Sequence, residues 1–205
     1  MRMKTEQHGF TIVEMMITVT IVSIIFVLAS SFVIDGLNTQ RFVSQQNDAI
    51  VEARKALKVI TSELREAVAA DTGAYPLELI DEQEIIFFSD IDSDDFTERV
   101  HYFLDGTLLQ RGIVEPTGDP LTYQPASEVI TTLASYVVND TAPLFTYFNE
   151  DYPDDQVTNP LSAPIDQTEV RMIGVFVSTN VDPTRVPETH DLSLFIQLRN
   201  LKENF

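Results

Sequence analysis

The chain has no cysteine in its 205 residues, and it has few cations: 13 Lys and Arg stand against 32 Asp and Glu, a formal net charge of −19. Without cysteine there is no disulfide framework and no thiolate zinc site, so any exported domain must hold together by packing alone unless a metal helps. The shortage of Lys and Arg excludes the clustered phosphate contacts of nucleic-acid binding. It also excludes attraction to an anionic membrane surface, and it suits a soluble, exported acidic head. There is no phosphate-binding loop, no nucleophile elbow and no Cys/His metal spacing, so no enzyme chemistry is expected.

What the chain does have is one long apolar run. From Phe10 to Ile34 the single charged residue is Glu14. That exceeds the roughly 20 residues a helix needs to cross a bilayer core. A carboxylate inside such a segment is costly, which makes Glu14 a functional candidate in need of a partner. The residues before it are short and polar, with Arg2, Lys4, Glu6, Gln7 and His8, and Gly9 forms the joint.

Gly9, Phe10, Thr11 and Glu14 at a polar-to-apolar boundary resemble the type IV prepilin N-terminus. The resemblance implies a leader of residues 1–9, cut after Gly9 by a prepilin peptidase. It implies N-methylation of the new N-terminal Phe10 and an assembly role for Glu14, paired with the Phe10 amine of its own or a neighbouring subunit. It further implies other pilins or pseudopilins as partners through the N-terminal helix, and an inner-membrane assembly platform. The expected location is the cytoplasmic membrane, spanned once, with an extracytoplasmic head that later joins a surface or periplasmic filament. Loss of the leader takes the net charge to about −20. Two other readings stay open: a secretory signal peptide cleaved near Ala29-Ser30-Ser31, or a plain N-terminal anchor, each carrying a binding domain that does not polymerise.

After the spanning segment, residues 10–36, a heptad-like stripe of Val43, Ile50, Leu57 and Leu64 with Ala53, Ile60 and Ala67 predicts an amphipathic helix over 37–70. Glu63 is read with the charged residues that mostly take its other faces. Gly36 is a weak point for a helix, and Ser30-Ser31 stand where many pilins have a kinking proline. The helix is expected to end near Ala70, before Gly73 and Pro76.

Residues 71–205 then read as a head of strands, large enough to bury a core. Ile85–Phe88, the alternating Val100, Tyr102 and Leu104, Pro143–Phe148, Glu169–Val177 and the alternating Leu192, Leu194, Ile196 and Leu198 are the clearest candidates. Asp105-Gly106 predicts a two-residue hairpin loop, with Tyr102 facing Leu109 and Phe103 facing Leu108. Pro116–Pro120 and Asn149–Gln167 read as loops, and Ser127–Val138 is ambiguous between helix and strand. The fold class expected is α+β: a long N-terminal α-helix, membrane-spanning in its first half, packed on a mostly antiparallel sheet. Ile85–Asp95, Val100–Leu104, Leu108–Arg111 and the closing Leu198-Arg199-Asn200-Leu201 resemble the larger J- or W-type minor pilins and pseudopilins.

Asp90, Asp92, Asp94 and Asp95 are hard-cation ligands in principle, and calcium at Asp90, Asp92 and Asp94 is the metal candidate. Asp95 stands where a calcium loop of the EF-hand type needs glycine, and His101 where it needs Glu, so a solvated acidic turn is the favoured reading and no cofactor is otherwise expected. His101 and His190 are read as surface or edge residues. Asn139-Asp140-Thr141 is a lone sequon of little weight.

Overall fold

A computed structural model describes Gly9 and residues 11–94, 96–185 and 189–200. The chain divides into two compact units, residues 1–44 and 45–205. One helix, α1 (Ile12–Arg65), runs from the first into the second, passing through Ser30, Ser31 and Gly36 without a break. Ser30 and Ser31 hydroxyls donate to the Phe26 and Val27 carbonyls one turn back, which keeps both polar groups inside the helix.

In the second unit the helix meets a sheet. Ala53, Leu57, Ile60 and Leu64 are buried, as the heptad-like stripe predicts, and Ala56 joins them, while Val43 at the start of the stripe is half exposed. The helix ends at Arg65, earlier than the expected Ala70. Its last turn tightens, with Glu66 and Ala67 N–H reaching carbonyls three residues back, and Val68 N–H then donates to the Phe88 carbonyl of a strand. A backbone that has joined a strand cannot continue the helical ladder, and composition alone does not reveal that capture.

Among the described residues ten strands follow: β1 (Leu77–Ile80), β2 (Glu84–Ser89), β3 (Glu98–Asp105), β4 (Leu108–Val114), β5 (Pro116–Thr117), β6 (Thr122–Tyr123), β7 (Val129–Ala134), β8 (Phe145–Phe148), β9 (Met172–Thr179) and β10 (His190–Gln197). They form a five-stranded sheet ordered β1-β2-β3-β4-β7, a three-stranded sheet ordered β10-β9-β8, and the small β5–β6 pair, every pairing being antiparallel. Pro116–Pro120, expected to be plain loop, thus contributes a strand, and the ambiguous stretch after Ser127 is β7. The core joins the helix stripe to Leu77, Ile85, Phe87, Val100, Tyr102 and Leu109 of the larger sheet and to Phe145, Tyr147, Ile173, Val175 and Ile196 of the smaller one. The expected α+β class is the observed one.

The β3–β4 hairpin departs by one residue from its expected turn. Asp105 pairs with Leu108, so the loop is Gly106-Thr107 and Tyr102 faces Arg111 rather than Leu109. Gly106 has φ +60°, and Thr107 is not in the left-handed region. That is the geometry of a type II′ turn, which takes glycine first, whereas the Asp-Gly reading assumes type I′. The long Asn149–Gln167 loop is pinned inside: Asn149 N–H donates to Asn159 Oδ1 at 3.0 Å, and Asn159 Nδ2 returns to Asn149 Oδ1 at 2.7 Å.

Glu63 is the correction of most consequence. It does not take an outer face of the helix but lies against the sheet, nearly buried. Tyr102 Oη donates to its Oε2 at 2.5 Å and Arg111 Nη1 to its Oε1 at 2.5 Å. Arg111 and Tyr102 are register partners on β4 and β3, so one helical carboxylate ties two strands. Burial, with Glu63 beside it, raises the Tyr102 phenol above its ordinary value, and burial does the same for Tyr147.

Two outcomes are expected for the full chain in detergent micelles. Glu63→Ala strands a guanidinium and a phenol and lowers stability by about 3 kcal/mol in denaturant unfolding, whereas Glu63→Gln, which keeps an acceptor for Tyr102, costs less. Equal midpoints for wild type and Glu63→Ala would remove the network from the list of supports. A phenol whose folded pKa exceeds its unfolded value of about 10 contributes fully below that pH and loses its contribution as pH rises beyond it. The denaturation midpoint is therefore lower at pH 11 than at pH 8, and in the folded chain Tyr102 and Tyr147 stay silent in a 295-nm titration. Complete tyrosine ionisation without unfolding would contradict this.

Candidate functional site

The N-terminal segment is the first site. Thr11 Oγ1 accepts from Glu14 N at 3.2 Å, so Thr11 caps the helix that starts at Ile12 and Glu14 occupies its first turn. The Thr-x-x-Glu spacing is a capping signature that was present in the sequence and not read there. A carboxylate in a first turn is also favourably placed against the helix dipole. Gly9 precedes the helix in irregular backbone, with nothing within 4 Å of where a Cβ would stand. Phe10 and residues 1–8 lie outside the described residues, as do Asp95 and Leu201.

Downstream, the side chains of the apolar stretch point outward. Ile12, Met16, Phe26 and Phe32 are among those more than two-thirds exposed. The polar residues among them turn inward: Thr18, Thr20 and Ser23 hydroxyls donate to the carbonyls of Glu14, Met16 and Val19. Every such hydroxyl is satisfied by its own helix, which is what a lipid environment demands. By length and composition the helix can cross a membrane. Among the described residues the Glu14 carboxylate has no hydrogen-bond or ion-pair partner, so the apolar stretch contains one polar group still to be paired.

The acidic turn between β2 and β3 is the second site. One oxygen each of Asp90, Asp92 and Glu98 lies within 4.8 Å of the other two. Asp94 falls outside that group; its Oδ1 accepts from Phe96 N at 3.0 Å. Asp90 Oδ1 accepts from Ser93 N at 2.7 Å. Glu98 is the member that the sequence reading missed. It sits on the buried face of β3 in phase with Val100 and Tyr102 and is fully buried. Burial pushes its carboxyl up to about 7, against the pull of the Ile91 N–H, and Glu115 and Asp92 push it further. Burial, then Asp92 and Asp94, raises Glu115 as well, against a side-chain hydrogen bond with Glu98 that pulls it down. The signal available in the sequence was the β3 alternation itself, which counts back from Val100 to a core position at 98.

His101 is not a surface residue. Its Nδ1 faces Glu128 Oε1 at 2.9 Å and its Nε2 faces Glu84 Oε2 at 3.0 Å, with the ring stacked on Phe103. A Cβ on Gly112 would lie 1.9 Å from Glu128 Oε1, so glycine there lets that carboxylate cross β4 to the ring. Both nitrogens are held by glutamates, Glu84 on β2 and Glu128 just before β7, which is a structural use of histidine. His190 opens β10, half-buried. The sequon is closed to modification: Asn139 Nδ2 donates to the Phe176 carbonyl, and its Oδ1 accepts from Ser178 N. A hollow of about 570 Å³ bordered by Leu79–Gln83, Phe145–Tyr147 and Pro160–Ile165 carries Asp81 and Glu82 but no histidine to activate its one serine, Ser162.

No curated protein matches the chain. Residues 4–30 match the family model of the prokaryotic N-terminal methylation motif. The matched span covers the Gly9 joint, the Thr11 cap, Glu14 and most of the apolar stretch. That match supports a type IV pilin-like subunit processed by a prepilin peptidase, a structural part rather than an enzyme, and, with the apolar helix, anchoring in a membrane with the head outside the cytoplasm.

Proposed function

We propose that this chain is a minor pilin or pseudopilin of the J or W type. Prepilin peptidase cuts after Gly9, Phe10 is methylated, and the helix then leaves the bilayer for the core of a filament or its tip. The observation that carries this reading is the coincidence of the matched motif with a capped helix whose first half is apolar and exposed, and whose hydroxyls in that half, from Thr18 to Ser31, are bonded to the helix itself. Moving such a helix from lipid into a bundle of similar helices exchanges one apolar environment for another. Glu14 supplies registry by pairing with an N-terminal amine, its own or a neighbour's. The partners are the peptidase, other pilins or pseudopilins through the N-terminal helix, and the inner-membrane platform. Residues 1–9 are the leader, 10–36 the membrane and filament-core segment, 37–70 the segment that carries the head, and 71–205 the sheet head. The pinned Asn149–Asn159 loop on that head suits a low-copy position near a tip better than a repeating shaft.

The deciding measurement is the N-terminal mass of the protein recovered from its host. N-methylated Phe10 is expected. Met1, or a start near position 32, would refute the reading.

Two variants extend the test. Gly9→Leu is expected to accumulate as membrane-bound precursor, because a bulky side chain blocks the peptidase at the joint; processing at the normal rate would contradict the assignment. Glu14→Val is expected to insert and be cleaved normally but to fall at least tenfold in filament incorporation, since the buried amine loses its counter-charge. Unchanged incorporation would refute the pairing role.

A further inference from the structure

Among the described residues β1, β7, β8 and β10 lie outermost in the two larger sheets. A sheet edge is a row of unused backbone donors and acceptors. Proteins cover it or mark it with charge, because any extended chain can otherwise pair with it. Three of these edges are treated in that way. Gln167 Nε2 donates to the Glu78 carbonyl of β1 at 2.9 Å. On β8, Phe145 N donates to the Glu82 carbonyl, and the Tyr147 carbonyl accepts from Leu161 N. β10 carries the charge of Asp191.

β7 has neither device. Val129–Ala134 contains no charged residue and no proline, in a chain that is 22% charged. Among the described residues no backbone hydrogen bond reaches the side of Val129–Thr132 turned away from β4. The side chains are bare as well. Val129 is 66% and Ile130 53% exposed, and as neighbours on a strand they point to opposite faces, so neither face is covered. Ile130 stands opposite Gly112, which has no side chain to shelter it. The irregularity in the β4–β7 pairing falls beyond Thr132 and leaves Val129–Thr132 in regular register. All four residues are β-branched, the composition that best fits a pleated ladder.

We propose that β7 is an interaction edge that takes an extended segment of a second, non-acidic protein as an added strand. Backbone hydrogen bonds supply affinity in that mode, and alternate side chains supply the fit. Charge selects the occupant. Carboxylates stand at both ends of the edge: Glu128 precedes Val129, and Glu52 Oε2 accepts from Ser135 N at 3.2 Å. A second copy of this chain would bring the same carboxylates, and a further −19, to the same place. The fitting segment is uncharged and β-branched at its centre, with Lys or Arg at its ends. The edge belongs to the head, and the proposal does not depend on the filament reading.

The test uses the full chain in detergent micelles at about 0.15 M salt. The probe is a fluorescent peptide, Lys-Lys-Val-Thr-Val-Thr-Val-Lys-Lys. Its controls are the same core flanked by glutamates, and the lysine-flanked core with its central amides N-methylated. Anisotropy reads binding, and hydrogen exchange reads protection of β7. The lysine-flanked peptide is expected to bind and to slow β7 exchange about tenfold. The glutamate-flanked peptide binds about tenfold more weakly, and the methylated one does not bind. Ile130→Lys, at an exposed position, is expected to keep Tm and to weaken the lysine-flanked peptide about tenfold. Equal binding of the methylated peptide overturns the proposal, since it means plain attraction of cations to an acidic head. Absence of β7 protection with the lysine-flanked peptide overturns it too. Self-association of the chain that Ile130→Lys abolishes overturns the choice of occupant and gives the edge to a second copy.

Discussion

The head depends on one ionised group that faces inward. Glu63 is the buried carboxylate of α1, in its last turn, and it takes hydrogen bonds from β3 and β4 together. An apolar stripe alone would allow the helix to slide or rotate over the sheet, because Ala, Leu and Ile contacts are non-directional. A carboxylate held by a phenol and a guanidinium admits one position. Fixing the helix there also fixes where it ends, and its end is what places Val68 beside Phe88 and lets the Ala67 carbonyl accept from Asn200. The pair is partly desolvated, so its net gain in stability is smaller than its directional effect. Arg111 Nε remains buried without a partner, part of the cost of bringing a guanidinium to that place.

Residues 12–34 obey a different constraint. Along this apolar stretch nearly every side chain is exposed, so in an apolar surrounding each polar atom must be satisfied within the helix or by a neighbour. Thr18, Thr20, Ser23, Ser30 and Ser31 all choose the first course. Glu14 cannot, since a carboxylate has no hydrogen to give to a carbonyl. Its backbone N–H is used by Thr11, but the side chain is left for something else. The helix thus carries two carboxylates in opposite situations: Glu63 is paired inside its own head, and Glu14 has no partner among the described residues.

Much of this could be read from the residues in order. The apolar run, the stripe at Leu57, Ile60 and Leu64, and the period-two patterns of β3 and β10 each follow from local spacing, and they fixed the α+β class. What local spacing does not contain is the partner. Glu63 looks like any helix-surface charge until Arg111, 48 residues on, folds across it. His101 looks like an edge residue until Gly112 opens the way for Glu128. The hairpin was misjudged because Asp-Gly and Gly-Thr are both plausible turn pairs, and the choice between them is made by how β4 seats against the core. The helix was overrun because Ala67, Val68 and Ala70 are compatible with helix and with edge backbone alike.

The acidic turn carries the same lesson further. Alternating aspartates attract notice because they are adjacent in sequence, and that adjacency favours Asp94 over Glu98. Three-dimensional adjacency reverses the choice, because a β-strand places every second residue on one face and position 98 belongs to the face that the helix covers. A valine there would pack with Val100 and leave the turn's aspartates to water. The glutamate instead carries a carboxyl into the core, where burial raises it to about 7 and favours a proton on it. That proton has a place to go, since the Glu98 side chain hydrogen-bonds Glu115, while Ile91 N serves its other need. An acidic residue can thus stand on a core face without a counter-charge, and the exposed Asp92 beside it is left to water.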